Sequence, residues 1–485
     1  MDFDGLAAAL SRMDPVRQVG RVAVVEESIL RVTGLSRHAR LGDQVLLLTG
    51  DRRVAGEVMR IGDSDIMVMP YEDLQGVSRG DRVVLTGASD LAPDDSWIGR
   101  VIDPFGLPLD GAPIRPGGLA RLLRAAPPDP AGREGLGARL ETGMAVFNTM
   151  LPVARGQRIG LFAGSGVGKS SLIAHFARAI EADVVVIALI GERGRELRDF
   201  VQDVLGPEGM ARTVVVAATS DRLPLVRRRC AQAAMTVAEH FRDRGCDVLL
   251  LADSMTRFAE AHREVATASG EIPSLRGYPP STAHALMNLC ERAGPAGPEQ
   301  GAITAILSVL VAGSDMEEPV ADILRGVLDG HVVLDRAIAE RGRYPAIDLL
   351  RSVSRSLPGV ATPDENETIA AVRQMLGTYE KSEILVRAGL YTEGANPELD
   401  RAVRAWPELD AFIAEAEAND TRNSFNRLRL ILRRAGAGAP SQAQRGASRH
   451  GTGASQPAAQ LPALPRARVP SGTLQEVLPP PDFAR

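Results

Sequence analysis

The octapeptide AGSGVGKS, Ala163 to Ser170, follows the apolar run Ile159–Phe162 and opens a stretch of helical periodicity. A strand that turns through glycines into a helix points several backbone N–H groups, and the positive end of the helix dipole, at one small concavity. Phosphate oxygens fit there. The pattern places Ala163, Gly164, Ser165, Gly166, Val167 and Gly168 around the phosphates, with Ser171 just behind. Lys169 reaches the β- and γ-phosphates as a mobile point charge, and the Ser170 hydroxyl enters the first shell of a bridging Mg2+. Ala163 stands where the strict pattern has glycine, which negative φ tolerates. The expected cofactors are ATP and Mg2+, on an α/β domain of the P-loop NTPase type.

At 485 residues the chain is too long for one core and predicts two to four domains. Its 45% hydrophobic and 24% charged content is that of an ordinary soluble globular protein. A net charge of −5 and 4% aromatic residues argue against nucleic acid as a partner, since neither a basic field nor stacking platforms are at hand. Asp2 and Asp4 replace a basic leader, and the longest apolar stretch, Ala302 to Val311, falls short of a membrane span, so a cytoplasmic location is expected. Cys230, Cys246 and Cys290 show no metal spacing and read as reduced, packed thiols.

Phe3, Leu6, Leu10 and Met13 share a helical face before Pro15, and residues 1–18 read as an amphipathic arm, docked on its own domain or ordering on a partner. Residues 19–88 carry short β-rich runs between Gly and Asp turns, the spacing of a small closed β-barrel. Residues 89–360 form the nucleotide domain. Within it RIGLFA, DVVVIALI, RTVVVAAT, DVLLLAD and AITAILSVLV are the continuous apolar runs expected of parallel strands covered on both faces. Leu223, Val226, Cys230, Ala234, Val237 and Phe241 give one covering helix its buried stripe. Residues 361–434 read as helical. Residues 435–485, rich in Ala, Gly, Pro, Ser and Gln, read as a disordered tail.

Asp253 ends the run Val248–Leu251, where a carboxylate at the carboxyl edge of a parallel sheet holds Mg2+, commonly through water; the alternative is a surface turn. Glu192, in IGERGRE, also follows a strand. It either polarises an attacking water or pairs with Arg193 or Arg195.

After AGSGVGKS come GERGRE, ATSDRLPLVR, DSMTRFA, RGYPPS, RYPAID and SVSR, in that order. From about Gln18 to Arg434 the chain thereby resembles the hexameric ATPases of the rotary F-type catalytic subunit and type III export class. The resemblance implies a RecA-like P-loop core, an N-terminal small β-barrel and a C-terminal helical domain, assembled as a homo-oligomer, a hexamer, with ATP sites between neighbours. It implies Glu192 as the catalytic carboxylate, Arg193 and Arg257 as γ-phosphate-side or relay groups, and Tyr344 as the aromatic on adenine. Arg355 is implied to reach the neighbour's γ-phosphate. SWIGRVIDPFGLPLDG and EEPVADILRGVLDGHVVLDR look most like the flagellar protein export branch, with injectisome ATPases close by; rotary catalytic subunits usually carry Thr where this chain has Gly194. That branch implies a stator-like negative regulator at the N-terminal arm, export chaperones and substrates, a central stalk-like protein, and a membrane export gate met peripherally at the flagellar base. A non-catalytic ring subunit is disfavoured by Glu192, and an RNA translocase by the acidic balance.

Overall fold

The computed structural model describes residues 17–311, 316–417 and 420–436. The expected arm (residues 1–16 of it) and nearly all of the expected tail lie outside the described residues.

Strands β1 (Val19–Val25), β2 (Leu30–Thr33), β3 (Gln44–Thr49), β4 (Arg52–Ile61), β5 (Asp65–Pro70) and β6 (Arg82–Gly87) close into a barrel in the order β1-β2-β5-β4-β3-β6. Alternation makes it close: Val45 and Leu47 on β3 point inward with Val22, Leu30, Val32, Val54, Val58, Ile66, Val68 and Val83, while their neighbours along the strands face out.

The nucleotide domain is built on a nine-stranded sheet. Its members are β7 (Val101–Ile102), β8 (Arg158–Ala163), β9 (Val184–Glu192), β10 (Thr213–Thr219), β11 (Val248–Asp253), β12 (Ala302–Leu310), β13 (Gly330–Leu334) and β14 (Ile347–Ser354), with Gly294–Pro295 beside the start of β12. The order is β14-β13-β8-β12-β11-β9-β10-β7, parallel except that β14 runs against β13. All five apolar runs became central strands. The edge piece β7 was not anticipated, because two residues carry no periodicity; it brings the sheet's start forward of the first run, which begins at Arg158.

Helix α1 (Lys169–Ala179) follows the P-loop, α2 (Pro224–Arg242) and α3 (Met255–Ala268) cover the sheet, and α4 (Ser281–Arg292) and α5 (Pro319–Val327) flank them. The predicted stripe of α2 is buried apart from Leu223, which precedes the helix and stays 37% exposed. More of α2 is buried than a stripe, including Arg228, Arg229 and Glu239. Barrel and linker cover its other face. Glu57 of β4, 4% exposed, accepts from the Tyr71 hydroxyl at 3.1 Å and from Arg228 at 3.1 Å, and also pairs with Arg124. Burial, then the Glu57 charge, pushes the Tyr71 phenol up to about 12. Arg229 donates to the Pro104 and Asp90 carbonyls at 3.0 and 3.1 Å and lies over the Phe105 ring. A second buried pair, Arg292–Glu239, is bidentate at 2.8 and 2.6 Å, and Arg292 also reaches the Leu123 carbonyl.

The last three helices are α6 (Pro363–Arg387), α7 (Pro397–Ile413) and α8 (Thr421–Gly436). Local chemistry starts two of them. Thr362 and Glu365 form a capping box ahead of Pro363, and Asn396 caps Glu398 and Leu399 ahead of Pro397. Arg373 of α6 donates to the carbonyls of Leu349, Ser352 and Met150, at 3.2, 3.2 and 3.3 Å, clasping β14. Among the described residues no helix is long and apolar enough to cross a membrane. Cys230 and Cys290 are buried free thiols, while Cys246 is half-buried.

Candidate active site

β8 ends at buried Ala163, its φ unremarkable, and the loop then turns through Gly166 (φ 78°) and Gly168 (φ 86°) into α1. Gly168 precedes the first helical residue, and no side chain caps the helix, so its first N–H groups face the cleft unclaimed. A Cβ on Gly168 would lie 3.2 Å from the Tyr344 Cδ1, so Tyr344 sits directly on the loop, half of it exposed. Val167 is buried beneath, and Ser165, Ser170 and Ser171 are exposed on the cleft wall.

The Lys169 ammonium is paired with the Asp253 carboxylate at the end of β11. Asp253 is 5% exposed, and Ser308 on the neighbouring β12 donates to the same oxygen, Oδ1, at 2.8 Å. This places Asp253 inside the site and not on a surface turn. Ser170 and Asp253 offer oxygen donors, and among the described residues no group of three or more acidic, histidine or cysteine side chains would hold an ion unaided. One hydroxyl and one carboxylate suit Mg2+ arriving with phosphates, because Mg2+ keeps most of its shell for water and phosphate oxygens.

Glu192 closes the third side. Its strand pairs regularly with β10 up to Ile190–Ala218, then skips Gly191 and resumes at Glu192–Thr219. Gly191 has φ 71°, so the bulge occupies a backbone region that L side chains rarely adopt. Regular alternation would put Glu192 on the side of Ile190, which is buried in the core; the bulge re-aims it at the cleft. Neither neighbouring arginine takes it. Arg193 pairs with Glu196 at 3.0 Å and Arg195 lies 3.5 Å from Asp199. Burial, and then the charge of Asp253, raises the Glu192 carboxyl from 4.5 to about 7, against the pull of Lys169.

The cleft, about 650 Å3, is lined by the P-loop, Glu192, Arg193, Glu196, Ser220, Arg227, Arg257 and Leu310. Arg257, in the first turn of α3, is held by Glu260 at 2.9 Å. Arg355 is elsewhere. β14 begins with Ile347 opposite Leu334, level with Ala163, and ends with Ser354 opposite Gly330. Arg355 therefore emerges at the opposite edge of the sheet, exposed, its guanidinium 3.2 Å from the Arg325 carbonyl.

Residues of this site not singled out from sequence include Ser308, Arg227 and Glu196. A serine interrupting the run AITAILSVLV was a readable signal, because a hydroxyl in a doubly covered strand needs a partner. Arg227 closes the quoted ATSDRLPLVR, but nothing local says where it points.

Residues 15–87, 143–354 and 361–429 match, in turn, the β-barrel domain of the ATP synthase alpha/beta family, that family's nucleotide-binding domain, and the T3SS EscN ATPase C-terminal domain. The flagellum-specific ATP synthase of Caulobacter vibrioides is 43% identical over 438 residues, covering 88% of this chain and 98% of its own. The chain belongs to the ATP synthase alpha/beta family. The relatives so matched are named flagellum-specific ATP synthases. The flagellum-specific ATP synthase of Salmonella typhimurium is 41% identical, covering 89% of this chain and 97% of its own. Among solved structures, the assembled ATPase EscN of the enteropathogenic E. coli type III secretion system superposes with TM-score 0.79 at 36% identity. It covers 85% of this chain and all of its own. EscN with its central stalk EscO gives a TM-score of 0.77.

Proposed function

We propose that this chain is the Mg-ATP hydrolase of flagellar type III protein export, working as a hexameric ring whose ATP sites lie between neighbours. The observation that carries the reading is the division of one site over two sheet edges. Lys169, Asp253, Glu192 and Tyr344 gather at the P-loop, while Arg355 stands on the opposite edge of the same sheet. A head-to-tail ring brings one edge against the next subunit's other edge.

In this reading the α1 N-terminus and the loop N–H groups hold the phosphates and Tyr344 packs on adenine. Lys169 leaves Asp253 for the β- and γ-phosphates, and Ser170 and Asp253 would hold Mg2+, which when bound would supply charge neutralisation at the phosphates. Glu192 accepts a proton from the attacking water, and an acidity near neutrality matches that task. Arg193 and Arg257 stand on the γ-phosphate side, and the neighbour's Arg355 spreads the charge that develops on the transferred group. The partners in this reading are a central stalk-like protein, a stator-like negative regulator at the N-terminal arm, export chaperones with their substrates, and a membrane export gate approached from the cytoplasm.

Turnover per chain should rise with protein concentration as rings assemble, and Lys169→Ala and Glu192→Gln should abolish it; a fully active monomer would refute the shared site. The match of residues 361–429 to the EscN C-terminal domain keeps an injectisome role as the second reading. Capture of the full chain, and of a form lacking residues 1–19, from the native cell separates them. Flagellar components, with the regulator lost on truncation, support export through the flagellum; injectisome components overturn it.

A further inference from the structure

The triplet Arg227–Arg228–Arg229 in the first turns of α2 divides its side chains between two places. Arg228 and Arg229 are buried against the barrel and the linker, as described above. Arg227 turns the other way, into the ATP cleft, with its side chain 15% exposed. Both oxygens of Glu264 accept from its Nη2 at 3.2 Å, and the Arg222 carbonyl accepts from its Nε at 3.1 Å. Its stem runs beside the bulge: a Cβ on Gly191 would lie 3.5 Å from the Arg227 Cδ and 3.6 Å from the Arg257 Cβ.

A bulge with a left-handed residue is a soft point at a strand end, because the extra residue has no ladder partner. The direction in which Glu192 leaves the strand depends on whatever packs beside Gly191. Arg227 supplies one flank, and its own place is fixed at both ends. Glu264 holds its guanidinium, and its helix is anchored in the barrel by Arg228.

We infer that Arg227 is a positioning residue, whose stem seats the Gly191 bulge and so aims Glu192, and which ties that aim to the barrel through α2. The inference rests on Glu192 being the water-polarising carboxylate. It distinguishes Arg227 from Arg193 and Arg257, because the methylene stem, and not the charge, does the work.

The test is steady-state ATP hydrolysis by the full-length, ring-forming chain carrying Arg227→Ala, Arg227→Met or Arg227→Lys. R227A should lower kcat on the order of 10- to 100-fold, the range a misplaced reacting group costs, with KM for ATP changed by less than about twofold. Met and Lys restore most of kcat because both retain the stem. R227A as fast as wild type overturns the inference, and so does R227M as slow as R227A with a raised KM, the signature of a phosphate contact. If R227A does not fold, Arg227→Met carries the test alone: kcat near wild type is expected, and a kcat lowered about 10-fold or more overturns the inference. Glu192→Gln run alongside separates the two layers. An active E192Q removes the role of Glu192 itself, whereas an inactive E192Q with a fast R227A removes only the positioning.

Discussion

Glu192→Gln should stabilise the ATP-free protein at alkaline pH while destroying its turnover. The carboxyl is raised from its ordinary 4.5 to about 7 in the folded chain, so the folded state holds this proton more tightly than the unfolded state does. The stability linked to it is complete below pH 4.5 and is lost as the pH rises through about 7. Above that, folding confines a charge that prefers water and faces Asp253. At about 1.4 kcal/mol per pH unit of separation, the ceiling is about 3 kcal/mol. The side chain keeps contact with solvent, and screening reduces the expectation to about 1–2 kcal/mol. A glutamine has no proton to lose. Thermal melting of wild type and E192Q without nucleotide, at pH 5 and pH 8.5, reads the difference directly. The mutant should melt roughly 2 °C higher at pH 8.5 for a chain of this size, with the gap closing at pH 5. An equal offset at both pH values, or none at pH 8.5, would refute the reasoning.

Arg355→Ala should retain ATP binding and lose turnover by about 10^3-fold or more, the range such arginines contribute; mixing it with E192Q should restore part of the activity, since mixed rings contain some intact sites, and no recovery would argue against sharing. Ser308→Ala removes a hydrogen-bond donor from buried Asp253. It should raise the Mg2+ concentration for half-maximal turnover several-fold, as the loss of about 1–2 kcal/mol of orientation implies, and a titration at fixed ATP measures this. Glu239→Ala strands the Arg292 guanidinium, 1% exposed. It should cost about 3–5 kcal/mol of folding stability, read as a lower melting temperature.

The P-loop, Asp253 and Glu192 were legible because each sits where a continuous apolar run breaks at a strand's carboxyl edge, a signal contained in a few neighbouring residues. The barrel was legible from alternation, and the parallel sheet from runs too apolar for one-sided burial. Pairwise, long-range facts were hidden. That Arg193 turns to Glu196 and Arg195 to Asp199, and not to Glu192, was not readable from their spacing. The bulge at Gly191 depends on the register against β10, which glycine alone does not announce. The burial of Arg228 and Arg229 against barrel and linker contradicts the habit of arginine, and partners over a hundred positions away, Glu57 for Arg228 and the carbonyls of Asp90 and Pro104 for Arg229, help explain it.

Strand β14 has eight residues, so it measures about 26 Å from end to end. One end is reached through Tyr344, beside this subunit's own P-loop; the other delivers Arg355 to the far edge, and Arg373 grips the middle from α6. In the proposed ring, β14 would thus connect this subunit's nucleotide cleft with that of its neighbour, and the hold of Arg373 on its middle would couple the helical domain to both.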